Sequence, residues 1–74
     1  MEVMIRELNV VIERDLDGFF VASVPSLRGC HTQAKSLDIL IDRIQEAALL
    51  CIEFEDLQGE KLEFVGIQKI TLEV

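Results

Sequence analysis

No stretch of the 74 residues approaches the roughly 20 consecutive apolar positions that a membrane-spanning helix requires. The N-terminal "MEVMIRELN" carries charges of both signs and no cleavage pattern. A cytoplasmic protein of one domain, residues 1–74, is the expectation. Cysteines number only two, Cys30 and Cys51, and without an export signal they read as free thiols, not assigned to each other. Cations are also scarce: 7 Lys and Arg stand against 14 Asp and Glu, for a formal charge of -7. That balance repels phosphate backbones and argues against direct nucleic-acid binding, while it favours a basic protein partner. Acidity is equally a route to solubility. P-loop, dinucleotide-binding and kinase signatures are all missing.

What the chain has in quantity is apolar side chain, 50% of its residues. So small a domain buries only about 60 to 65% of the surface its unfolded chain exposes, so this supply exceeds what one core can hide. The region from Val3 to Arg14 reads as a strand, with Leu8, Val10 and Ile12 alternating against Asn9, Val11 and Glu13. "DLDG" supplies the turn, since Asp side chains bond to nearby backbone and Gly18 can take positive φ. Phe19 to Val24 forms the return strand, placing Phe20, Ala22 and Val24 on the face of Leu8, Val10 and Ile12. Val11, Phe19 and Val21 lie on the opposite face. Pro25 ends the strand and Gly29 permits a tight corner before a short extended piece from Cys30 to Gln33.

Ser36 is an N-cap candidate with Asp38 in the first turn, and Leu37, Leu40, Ile41, Ile44, Ala48 and Cys51 recur at helical spacing. The helix is expected to run from Ser36 to about Asp56, with Gly59 beyond its end. Asp38, Asp42, Gln45, Glu46 and Glu53 fall on its solvated side. Ile39 and Leu50 lie together on a flank beyond Arg43, bordered by Phe54, which leaves more apolar surface than one small sheet needs. "LEFVGIQKITLEV" reads as a last strand, with Ile70, Leu72 and Val74 in one set and Val65 and Ile67 in the other.

Chemistry has few carriers. "VPSLRGCHTQ" places Cys30 beside His31, but adjacent residues of an extended segment point to opposite faces, so His31 cannot readily take a proton from Cys30. Zinc needs three or four ligands, and Cys51 aligns with the helix's core stripe, so no metal or other cofactor is expected. Glu13, Asp15 and Asp17 cluster at the hairpin end, where the turn accounts for the aspartates and the spacing is not that of a calcium loop. No catalytic residue is assigned.

The stretch "VVIERDLDGFFVASVPSLRGCHTQAKSLDILIDRIQEAALLCIE", well over half of the chain, resembles the N-terminal domain of the HicB family of antitoxins. Asp17 and Gly18 match that family's hairpin turn, Pro25 and Leu27 the segment after the second strand, and Gly29, Cys30 and Thr32 the short third strand. Ser26 stands where an acidic residue is frequent, and Arg28 where proline is. The resemblance implies a partial ribonuclease-H-like fold and a partner of the HicA type, a small basic RNA-cleaving toxin that the antitoxin covers. HicB antitoxins typically continue into a DNA-binding domain, and none is expected here.

Residue pattern and resemblance together predict an α+β, two-layer domain of β-β-β-α-β order, a mixed four-stranded sheet covered on one face by a single long helix. The expected function is an antitoxin-type protein-binding module. The alternatives are a HicB-like scaffold with an unknown partner, or a weak metal-dependent nuclease using the acids from Glu13 to Asp17 and His31. Association into a homodimer or a dimer of dimers is expected through Val11, Phe19, Val21, Ile39, Leu50 and Phe54.

Overall fold

The computed structural model describes residues 5–58 and 62–74, with residues 55–58 described for their backbone only. Three short strands, β1 (Val11–Arg14), β2 (Phe20–Ser23) and β3 (His31–Ala34), precede one helix, α1 (Leu37–Gln58). The sheet is antiparallel throughout, in the order β1-β2-β3. Register sets Ile12 opposite Ala22 and Ala22 opposite Thr32. Because side chains alternate along each strand, these three share the helix-facing side, while Val11, Val21 and His31 face away.

The expected four-stranded mixed sheet is thus corrected to a three-stranded antiparallel one. Residues 62–74 form no strand, and Val65, Ile67, Ile70 and Leu72 project into solvent. Alternation shows that a segment suits a pleated surface; it does not supply an edge to pair with. The radius of gyration, 14.4 Å, exceeds the roughly 11 Å of a compact chain of this length, as an undocked segment requires. The first strand is also shorter than expected: Leu8 and Val10 pack on the core without joining the ladder, and Val3 lies outside the described residues.

The helix begins where the sequence places it. Ser36 Oγ accepts a hydrogen bond from the Ile39 N–H at 3.3 Å, and the Ser36 carbonyl accepts the first helical bond from Leu40 at 3.0 Å. Its end passes the expected Asp56 to Gln58, and Gly59 lies outside the described residues. The core is built from Ala22, Val24, Leu27, Cys30, Ala34, Leu40, Ile44 and Ala48. Three of these are alanines, two on the sheet and one on the helix, so the layers approach closely and Leu40 and Ile44 fill the space between them.

Leu37 and Ile41 depart from the expected core stripe, being 47% and 37% exposed. The helix lies over β2 and β3 and does not reach β1, so no sheet lies beneath that flank.

Candidate interaction surface

The family-like motif residues lie in the two turns, the core and β3. At the hairpin, Asp15 Oδ1 accepts from the N–H groups of Asp17 (3.0 Å) and Phe19 (2.9 Å), while the Asp15 N–H donates to the Phe19 carbonyl at 2.9 Å. Gly18 has φ +88°, a conformation most side chains avoid. Asp15, which the motif leaves out, is therefore the anchor of this turn. In the next loop Leu27 donates its N–H to the Val24 carbonyl (3.0 Å) and accepts from the Cys30 N–H (3.1 Å), and the Val24 N–H donates to the Cys30 carbonyl (3.0 Å). Pro25 starts the loop, Gly29 closes it at φ +72°, and the Leu27 side chain is driven into the core. Thr32 sits in β3 opposite Ala22.

The Cys30–His31 pair splits as its alternation predicts: Cys30 is buried and His31 is exposed. Burial pushes the Cys30 thiol up to about 12, and the neighbouring Cys51 thiol, hydrogen-bonded to it, adds to the rise. Cys30 is thus a neutral, inward thiol at ordinary pH, and both cysteines are free. Sequence separation concealed their approach, which follows from Cys51 lying on the core-facing turn of α1. Asp15 is spent on the turn, and among the described residues no three His, Cys, Asp or Glu side chains gather as a metal site.

The six residues expected to form one interface occupy two surfaces. Val11, Phe19 and Val21 are half-buried on the outer face of the sheet. Lys35 Nζ lies 5.6 Å from the Phe19 ring centroid and shields it in part. Ile39, Leu50 and Phe54 instead stand 49%, 68% and 60% exposed on α1. At 100° per residue they fall on the flank that bears Arg43, and Arg43 Nη1 donates to the Gln33 carbonyl at 2.8 Å, which fixes that flank on the β3 side. Asp42, Glu46 and Glu53, all exposed, adjoin them. The result is an apolar stripe edged by carboxylates, with the Arg43 guanidinium turned onto the sheet edge.

A small antiparallel β-β-β-α domain with such a stripe defines an interaction scaffold, and comparison with known proteins places it. It is 51% identical over 63 residues to a UPF0150 protein of Archaeoglobus fulgidus, covering 85% of this chain and 90% of that one. Against UPF0150 proteins of Synechocystis and Thermoplasma acidophilum identity is 40% over 67 residues and 36% over 64, covering 96% and 93% of those chains. The chain belongs to the UPF0150 family. No family model matches it. The resemblance to HicB antitoxins is thereby corrected: the similar proteins bear the UPF0150 name throughout. Of the residues that carried that resemblance, Gly18 and Gly29 take positive φ in the two turns and Leu27 packs in the core.

No described helix is long and apolar enough to cross a membrane.

Proposed function

We propose that this domain is a protein-binding module, not an enzyme, whose partner is a small basic protein of the RNA-cleaving toxin class, held so that its RNA-binding surface is covered. The observation that carries this reading is the α1 flank. Ile39, Leu50 and Phe54 offer desolvation energy at the centre of a contact, and Asp42, Glu46 and Glu53 offer charge at its edge. A net charge of -7 would speed encounter with a cationic partner and disfavour direct contact with nucleic acid. Self-association is part of the same proposal, since Val11, Phe19 and Val21 offer a second, partly apolar face away from the helix.

The test is an RNA-cleavage assay using, as toxin, the product of a small basic reading frame beside the gene. Stoichiometric chain should abolish cleavage, and Leu50→Asp should restore it without unfolding the domain. Undiminished cleavage at a several-fold excess of chain would overturn the proposal. Magnesium-dependent cleavage by the chain alone, lost in Asp17→Ala, would put the nuclease reading in its place.

A further inference from the structure

Both halves of an unmade strand pairing are present in one chain. Residues 62–74 hold an alternating set, Ile70, Leu72 and Val74 against Lys69, Thr71 and Glu73, and the three apolar members are 70%, 71% and 117% exposed. Such a segment suits an edge where one face is apolar and the other wet.

The sheet has two edges. The Val24–Cys30 bond sets the alternation along β3, leaving the backbone groups of His31 and Gln33 on its outer side, and Arg43 already occupies the Gln33 carbonyl. Along β1, the bond from Asp15 to Phe19 leaves the groups of Ile12 and Arg14 facing outward. The helix does not reach β1, and Ile12 is 44% exposed on the helix-facing side. Ile41 lies on the flank of α1 opposite Arg43 and Leu37 at the start of the helix, both partly exposed, so we take the space between this flank and β1 as an apolar trough.

We infer that residues 62–74 of one copy pair as an added strand along the β1 edge of a second copy, with Ile70, Leu72 and Val74 entering the trough beside Ile12, Leu37 and Ile41. Each copy carries one donor segment and one acceptor edge, so two copies can exchange segments and close as a twofold dimer. The area suffices: the exposed apolar side chains of one segment amount to on the order of 500 Å², so two segments and their receiving surfaces reach the roughly 1,200–2,000 Å² of a stable interface. Ile12, Leu37 and Ile41 are all apolar, and Leu8 and Val10, which precede β1, are partly buried against the core, so this side favours an apolar segment over the acid-seeking partner proposed for the β3 side of α1. This inference rests on the self-association proposed above and places it at the β1 edge, apart from the outer sheet face of Val11, Phe19 and Val21.

Its test uses the full chain. Mixed isotope-labelled and unlabelled protein, equilibrated together, should give interchain nuclear Overhauser contacts between the methyls of Ile70, Leu72 or Val74 and those of Ile12. Sedimentation equilibrium should show a dimer whose dissociation constant rises at least 100-fold in Leu72→Asp, a position outside the core, with the far-ultraviolet spectrum retained. A monomer at 100 μM, or the same contacts found only within one chain, would overturn the inference. A dimer that Leu72→Asp leaves intact would overturn the exchange while leaving self-association standing.

Discussion

Leu27 and Leu50 are the same residue in opposite circumstances, and truncating each to alanine separates what holds the fold from what the surface offers. Leu27 is 2% exposed and fixed by its own backbone bonds to Val24 and Cys30, so the loop cannot collapse into the space its side chain vacates. Leu27→Ala should then cost about 2–5 kcal/mol, the loss for a buried leucine whose cavity persists. A domain of this length has roughly 4–11 kcal/mol in total, so the variant should be near half unfolded or lose well over 10 °C of thermal midpoint. Leu50→Ala removes a side chain that solvent already reaches and should stay within about 0.5 kcal/mol. Urea unfolding at pH 7 and low micromolar concentration reads both. A cost under about 1 kcal/mol for Leu27→Ala, or equal costs for the two, would refute the placement of Leu27 as the plug between loop and core.

Other consequences are as direct. Gly29→Ala should destabilise by about 1–2 kcal/mol through backbone conformation alone, since no atom lies within 4 Å of the added Cβ; chemical denaturation of Gly29→Ala beside Gly29→Asn, which tolerates positive φ better, separates conformation from contact. Asp15→Ala strips two acceptor bonds from the hairpin and should cost about 1–2 kcal/mol, with faster amide exchange at Phe19. Because the folded Cys30 thiol keeps its proton up to about pH 12 while the unfolded thiol releases it near 9, its contribution is complete below pH 9 and fades as pH rises from there towards 12. Stability measured from pH 8 to 11 should fall less steeply in Cys30→Ala than in the native chain, and Cys30 should resist thiol reagents at pH 8 until the protein unfolds.

The elements that announced themselves in the sequence were those whose signals are local. Ser36 and Asp38 marked the helix start, and "DLDG" and the Pro25–Gly29 loop marked the two turns, because capping and positive φ depend on a few adjacent residues. The last strand was misread for the opposite reason. Ile70, Leu72 and Val74 alternate correctly, but pairing depends on an edge elsewhere in the chain, which periodicity does not report. Leu37 and Ile41 were misplaced in the core by the same error, since their burial presupposed a sheet wide enough to lie beneath them. At the candidate surface, the helix wheel identified Ile39, Leu50 and Phe54, but grouping them with Val11, Phe19 and Val21 required knowing that the sheet's outer face and the helix flank are apart. The family assignment failed where the matching residues were those with structural tasks.

Binding of a small basic protein at the β3-side flank of α1 is tested by amide chemical-shift mapping of the labelled chain, titrated with a small basic RNA-cleaving protein. The largest changes should fall at Ile39, Asp42, Arg43, Glu46, Leu50 and Glu53, weakening as salt is raised. Changes confined to Val11, Val21 and His31 on the outer sheet face, or none at saturating partner, would contradict it.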